Sequence, residues 1–221
     1  APGTEELKID FTESEQGNTP SDSRLIEATL RQHVHRGEYK KDLPEPAFLE
    51  ELRKMSNNSI RIDVVTDPQK KEALADITIK AEIAALDDPG FRRQLSNYLK
   101  KNTSEPPLGM AAFDTGVLAS LVPLVGNFFN INRFKERGDH ALLTEHTPIF
   151  VIISTAQDTP EYWIRAGQAF ERIALLSTEH AMYTDPMTAA IQIGEFHVEL
   201  QKILGIQDMR PQFFFRLGYA K

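Results

Sequence analysis

Residues 148–155 have the sequence PIFVIIST. This run is apolar and β-branched, so we predict a buried strand. A second strand is predicted at residues 212–217 (QFFFRL), and the alternating residues 60–65 (IRIDVV) predict a third. Alternation within residues 212–217 places Arg216 on the face opposite Phe215 and Leu217.

Helices are predicted in the intervening segments, most of them opened by a proline. Ser21 or Ser23 can cap a helix from about residue 24 to 35, and Pro46 suits the first turn of a helix to about residue 55. Further helices are predicted at about residues 67–86, 88–99, 161–181 and 191–204, with Gly205 closing the last. Helices outnumber the strands and alternate with them, which indicates an α+β or α/β class.

The composition is that of a soluble globular protein and argues against several functions. Of 221 residues, 41% are hydrophobic and 26% are charged. There is no cysteine, which excludes disulfides, thiolate metal sites and cysteine nucleophiles. The net charge of −7 disfavours a nucleic-acid partner. No apolar run approaches the roughly 20 residues that span a bilayer, so we expect no membrane partner and a cytoplasmic location, or a periplasmic one if a signal peptide was removed.

The chain divides by composition into an amino-terminal segment and one domain. Residues 1–24 are polar apart from a short predicted strand at 7–11, and we expect an extended segment there. Residues 25–221 form the predicted domain. Within it, residues 102–139 are apolar but interrupted by prolines and glycines, which indicates an irregular, lid-like insertion that covers a ligand or docks on a second subunit.

Motifs of other common enzyme classes are missing from the sequence. It contains no Gly-x-Gly-x-x-Gly or Walker loop and no Gly-x-Ser-x-Gly elbow. Its many acidic residues do not single out a pair for glycoside hydrolysis. A redox step would need a cofactor, because no side chain in this chain transfers hydride.

Three segments resemble motifs of the FMN-dependent nitroreductases, and more closely of the dormancy-associated Acg-like branch. Residues 30–39 (LRQHVHRGEY) are similar to the entry motif Arg-x-Ser/Thr-x-Arg/Lys, in the version where an arginine cluster precedes Gly-x-aromatic. Residues 163–175 (WIRAGQAFERIAL) resemble the branch's Trp-x-x-x-Gly-Gln-Ala-x-Glu-Arg helix, and residues 211–219 (PQFFFRLGY) resemble its closing strand. Such proteins usually carry a further amino-terminal segment with a His-Asn-x-Gln-Pro-Trp stretch, so we expect this chain to correspond to their carboxy-terminal portion, either as a fragment or as a reduced form.

The resemblance implies an α+β nitroreductase-like fold, with a central mixed or antiparallel sheet flanked by helices, and a homodimer that buries the Trp163 helix. It also implies that the first motif holds the phosphate of FMN. Arg31, Gln32 and His33 fall at the Arg-x-Ser/Thr positions, and His35 and Arg36 fall at the second basic position. Guanidinium groups match phosphate oxygens well, whereas His33 replaces the family's hydroxyl residue.

A second implied cofactor-binding segment lies at residues 183–189 (YTDPMTA). It aligns with the family loop that passes beside the flavin ring, and this places Pro186, Met187, Thr188 and Ala189 at the ring. Thr188 and Ala189 fall where a backbone N–H donates to the flavin N5 atom. A backbone donor does not depend on the side chain, so the departure from the family's acidic-Gly pair does not by itself remove the contact.

Each of these segments also has an interpretation without a ligand. Arg31 and Arg36 are favoured as solvated cations near a helix carboxyl end, and residues 183–189 can be an ordinary turn. The Trp163 helix can simply pack in the core of one subunit. His33 and His35 would share one face of a strand as metal ligands, but no third ligand follows at a usual spacing, so no metal site is predicted.

The resemblance implies an FMN-binding oxidoreductase of the nitroreductase type. Such an enzyme passes hydride from NAD(P)H through FMN to a small-molecule substrate, a nitroaromatic or quinone-like acceptor. No catalytic residue is assigned. Two alternatives remain open: a flavin-sequestering or degenerate domain that keeps the fold without catalysis, and a structural interaction domain that binds no flavin.

Overall fold

The computed structural model describes the backbone of residues 20–100, 110–111 and 140–221, and the side chains of residues 24–94 and 140–221. The predicted strand at residues 7–11 and nearly all of the predicted insertion lie outside the described residues. The described helices are α1 (Pro20–Thr29), α2 (Pro46–Lys54), α3 (Pro68–Asp87), α4 (Pro89–Tyr98), α5 (Pro160–Glu179), α6 (Ala189–Gln192) and α7 (Phe196–Leu204), with a further helical segment at residues 140–145. The described strands are β1 (Ile60–Val65), β2 (Leu99–Lys100), β3 (Met110–Ala111), β4 (Ile149–Thr155), β5 (Tyr183–Pro186) and β6 (Arg210–Gly218).

The main sheet has four antiparallel strands in the order β1-β4-β6-β5, and β2 and β3 form a separate parallel pair. All seven residues of β4 are buried, which confirms the buried strand predicted there. Ile152 of β4 lies opposite Phe214 of β6, and the register shifts beyond Ile153. The combination of this sheet with surrounding helices confirms the α+β class.

Alternate residues of β4 face two hydrophobic cores on opposite sides of the sheet. Phe150 and Ile152 belong to the core formed with α3, α6 and α7. Ile149, Val151 and Ile153 belong to the core formed with α2 and α5. The sheet is therefore covered by helices on both faces, which explains why its central strand is apolar throughout.

Proline and capping residues begin the helices much as the sequence predicts. Pro46, Pro68 and Pro160 lie in the first turns of α2, α3 and α5, where a missing N–H costs nothing. Asp67 caps α3 by accepting a hydrogen bond from the Lys70 N–H at 2.9 Å. Gly205 has φ 71° and ends α7, as predicted.

Two predicted helices differ from the observed ones. The predicted helix at residues 24–35 is wrong at both ends, because α1 begins at Pro20 and stops at Thr29. The predicted helix at residues 191–204 is interrupted, because Gly194 adopts φ 46° between α6 and α7. Within the described part of the chain, no helix is both long enough and apolar enough to cross a membrane.

Candidate functional site

The first predicted motif lies in an extended stretch after α1, residues 31–39, which we call the basic segment. Val34 forms a parallel bridge with Thr184 of β5, and the His35 N–H donates to the Thr184 carbonyl at 3.2 Å. At its other end Tyr39 pairs antiparallel with Ala220. Val34 therefore pairs with β5 and Tyr39 pairs with the residues that follow β6, so this stretch is extended and not helical as predicted.

Arg31 and Gln32 are held by α5. The Arg31 Nη2 donates to the Glu179 Oε1 at 2.5 Å, and the Gln32 Nε2 donates to the Glu171 Oε2 at 3.3 Å. The Arg31 side chain nevertheless keeps 57% of its surface exposed. Its guanidinium is therefore accessible to a ligand while one nitrogen remains paired with a carboxylate.

The two histidines of the basic segment share one aromatic neighbour. The ring centroid of Tyr183 lies 4.7 Å from that of His33 and 5.8 Å from that of His35. The His33 Nδ1 is 3.1 Å from the Arg31 carbonyl oxygen, and the His35 Nε2 is 3.3 Å from the Glu38 carbonyl oxygen. Residues 24–94 and 140–221 contain no group of three or more His, Asp or Glu side chains placed to hold a metal ion.

Arg216 joins the basic segment to the sheet. Its side chain is 1% exposed and lies directly opposite Asp185 across the β5–β6 pair. The Arg216 Nε donates to the Asp185 Oδ2 at 2.8 Å, and its Nη2 donates to the carbonyls of Arg36 at 2.8 Å and Gly37 at 3.1 Å. Its guanidinium also lies 4.9 Å from the centre of the Tyr39 ring.

Burial sets the protonation of the groups around Arg216. It raises the pKa of the Asp185 carboxyl above its usual value, while the Arg216 guanidinium opposes the rise. It likewise raises the pKa of the Tyr39 hydroxyl, which stays protonated and donates to the His35 carbonyl at 2.9 Å. Tyr39 and Arg216 therefore bond the consecutive carbonyls of residues 35–37 in one turn.

The second predicted segment, residues 186–189, follows β5 directly, and we call it the proline loop. Pro186 pairs with Phe215, and the Met187 N–H donates to the Phe214 carbonyl at 2.8 Å. Met187 is buried in the core and Thr188 is exposed at the start of α6. The backbone N–H groups of Thr188 and Ala189 donate to no acceptor among the described residues. Both groups lie at the start of α6, where the first N–H groups of a helix have no acceptor within it.

The structure thus brings part of the predicted site together. His33, His35 and Arg36 lie beside β5, the strand that leads into the proline loop. Arg31 and Gln32 instead bond carboxylates of α5. Sequence reasoning did not assign Arg216 or Asp185 to the site. An arginine within an apolar strand was the available signal, since such a residue needs an acidic partner when buried.

A separate cavity of about 320 Å³ lies near the carboxyl end of α3. Its lining residues are Ala84, Ala85, Asp88, Gly90, Phe91, Gln94 and Ile193. None of the predicted site residues lines it. The basic segment and the proline loop remain the candidate site because the resemblance assigns both to the cofactor.

No protein-family model and no curated protein matches the sequence. Solved structures match its fold. The FMN-dependent nitroreductase NfnB of Mycobacterium smegmatis, in complex with NADPH, has a TM-score of 0.57 at 13% identity, covering 91% of this chain and 89% of that one. The FMN and NADPH-dependent nitroreductase NfnB of Sphigopyxis sp. strain HMH has a TM-score of 0.55 at 16% identity, covering 89% and 88%. A nitroreductase with bound FMN from Bacteroides fragilis has a TM-score of 0.54 at 12% identity, also covering 89% and 88%. At these identities the likeness is one of fold.

Proposed function

We propose that this chain, which has the nitroreductase fold, is an FMN-binding oxidoreductase of the nitroreductase type and belongs to the Acg-like branch of that family. The observation that carries the proposal is the contact between its two predicted flavin segments. The His35 N–H donates to the Thr184 carbonyl at 3.2 Å, and the proline loop begins two residues after Thr184. The basic segment and the proline loop are thus neighbours, although they are distant in the sequence. Both are predicted to bind the same ligand.

The donors present fit a flavin mononucleotide. Arg31 keeps guanidinium N–H groups exposed, and His33 and His35 add imidazole nitrogens, so the basic segment suits a phosphate. The N–H groups of Thr188 and Ala189 suit an acceptor atom of a flat ring. The chemistry that FMN supplies when bound is hydride transfer between NAD(P)H and a nitroaromatic or quinone-like acceptor.

The residues of the chain would bind and orient the cofactor. Arg31, His33, His35 and Arg36 would neutralise the phosphate, while Thr188 and Ala189 would hold the ring edge through their N–H groups. Met187 anchors the proline loop through its buried side chain and its bond to Phe214, so the two donors that follow it are held in place.

We also propose that the chain forms a homodimer through α5. Trp163 and Ile164 of that helix are 52% and 43% exposed, and Leu30 at the end of α1 is 92% exposed. An added Cβ at Gly167 would meet no atom within 4 Å, so this part of α5 is open to close approach by another helix. Light scattering on the purified protein tests the proposal, which predicts twice the mass of one chain.

The flavin assignment is tested by mixing purified protein with excess FMN, removing free FMN by gel filtration and recording the visible spectrum. A flavin spectrum that NADPH or NADH bleaches under anaerobic conditions supports the oxidoreductase. Bound flavin that neither nucleotide bleaches would instead favour the flavin-sequestering alternative. The absence of bound flavin at micromolar protein would remove the proposed function.

A further inference from the structure

We propose that Arg216 is a positioning residue that locks the basic segment against β5 and so sets His35 and Arg36 for an anionic phosphate. The inference rests on the proposed function for its ligand. Its structural part, the lock itself, stands on contacts of Arg216 that involve no ligand.

The lock depends on the shape of the guanidinium. Its Nε bonds Asp185 on the neighbouring strand, while its Nη2 reaches the carbonyls of Arg36 and Gly37. A planar fork serves several acceptors in fixed directions, and an ammonium group at the same position does not. Arg216 thus connects the strand that leads into the proline loop with the turn that carries the basic side chains.

Close packing around two glycines holds the same turn. A Cβ at Gly37 would lie 2.9 Å from the His35 Nε2, and a Cβ at Gly218 would lie 3.1 Å from the Tyr39 Cβ. His35 therefore folds back over Gly37, and Tyr39 rests on β6 beside the Arg216 guanidinium. The contacts of His35, Tyr39 and Arg216 therefore all act on one turn, whose residues 36–38 are otherwise exposed.

A need for stability alone does not account for an arginine at this position. Replacing a buried ion pair by well-packed apolar residues is often neutral for stability, because both charges must be desolvated. The residues on either side of Arg216 in β6, Phe215 and Leu217, are both buried and apolar. The distinctive contribution of Arg216 is the set of directional bonds to two separate parts of the chain.

The test compares Arg216→Met, Arg216→Lys and a control, Arg210→Met. Arg210 lies on the same strand but at its other end, where its Nε is 3.7 Å from the Asp158 Oδ2. Circular dichroism selects a temperature at which every variant is folded. Arg216→Lys keeps the positive charge, so it remains informative if Arg216→Met does not fold.

The first measurement is amide hydrogen exchange, which needs no flavin. The reporters are the N–H groups of His35, Tyr39 and Lys40, which bond the carbonyls of Thr184, His146 and Tyr219. Both Arg216 variants should exchange these amides at least about tenfold faster, whereas the β4 amides, which exchange by global unfolding, should accelerate only by the factor that the measured loss of overall stability requires. Unchanged exchange at the reporters, or an equal increase in Arg210→Met, would overturn the lock.

The second measurement compares the dissociation constants of FMN and of riboflavin, which lacks the phosphate. If the competent arrangement of the basic segment falls to about a tenth of the population, the FMN constant rises about tenfold. Riboflavin binding should stay within twofold of wild type, and Arg210→Met should change neither. Equal weakening of both flavins would overturn the positioning role, because general loosening acts on both.

Failure of the proposed function gives a different result. Wild-type protein that binds neither flavin removes the FMN assignment, and the phosphate role of Arg216 is then overturned with it. The exchange measurement still decides whether Arg216 locks the basic segment.

Discussion

The Arg216→Met variant should carry a stability deficit that depends on pH, because the change leaves the Asp185 carboxyl without its guanidinium. Asp185 retains 13% of its side-chain surface exposed, whereas Arg216 is 1% exposed. The carbonyls of Arg36 and Gly37 also lose a donor, but both residues are exposed and water can replace the bonds. The main cost is therefore the buried carboxyl.

Breaking a buried ion pair costs about 3–5 kcal/mol, and we expect the lower end, about 3 kcal/mol, because Asp185 is partly exposed and can take up a proton. For a chain of this size that corresponds to a melting temperature lowered by about 6–12 °C. Burial already raises the pKa of Asp185, and loss of the opposing guanidinium raises it further. A carboxyl with a raised folded pKa contributes stability below its unfolded pKa and loses it as the pH rises through the folded value.

The assay is the melting temperature of Arg216→Met and of wild type at a series of pH values from 4 to 8, with Arg210→Met as the control. The deficit of Arg216→Met should be smallest at the acid end and should grow as the pH rises. The control should lose less than about 1 kcal/mol, because the Arg210 Nε lies 3.7 Å from an Asp158 carboxylate whose side chain is 50% exposed. A deficit of Arg216→Met that is the same at every pH would show that ionised Asp185 is not the main cost.

Three further predictions concern the end of α5, the basic segment and the loop after β4. Ala181 adopts φ 55°, so Ala181→Gly should stabilise the protein by about 0.5–1 kcal/mol in thermal denaturation, and a loss would contradict the assigned conformation. Arg31→Met should weaken FMN binding about tenfold or more in a fluorescence titration with less than about 1 kcal/mol change in stability, and unchanged affinity would exclude a phosphate contact. Hydrogen bonds from Gln212 and Trp163 lower the pKa of Asp158, so its contribution to stability is present above the unfolded pKa and is lost as the pH falls through the lowered value. Asp158→Asn should therefore flatten the acid limb of the stability curve, and an unchanged limb would count against these bonds.

Helices and strands that are set by residues close together in the sequence were predictable. The β-branched run of β4 and the alternation of β1 each match the observed strand closely, and prolines mark the starts of α2 and α5. The antiparallel sheet flanked by helices confirms the fold class that the resemblance implied. Residue chemistry within a few positions decides such features, so no distant partner has to be known.

Elements decided by distant partners were not predictable. The predicted helix extended to residue 35, but α1 ends at Thr29 and Val34 pairs with Thr184. The short strand β5 has the sequence YTDP, which lacks an apolar run, and pairing with β6 defines it. Tertiary pairing overrode local propensity in both cases.

The two predicted flavin segments were chosen from the sequence, but the contacts around Arg216 that join them could not be predicted from it. Alternation placed Arg216 on the face of β6 opposite Phe215 and Leu217. Neither its burial nor its bond to Asp185 follows from spacing along the chain. Only the antiparallel register of β5 with β6 sets those two residues opposite each other. The roles of the basic segment and the proline loop in binding flavin remain predictions.

A calorimetric titration of wild-type protein with FMN and, separately, with riboflavin shows whether the chain binds a flavin through its phosphate. We expect saturation at equimolar FMN, with riboflavin weaker by at least about tenfold because it offers no phosphate to the basic segment. Equal affinities would show that the basic segment binds no phosphate. An absence of heat with either flavin, supported by an unchanged flavin fluorescence, would contradict the assignment of this chain as a flavin-binding protein.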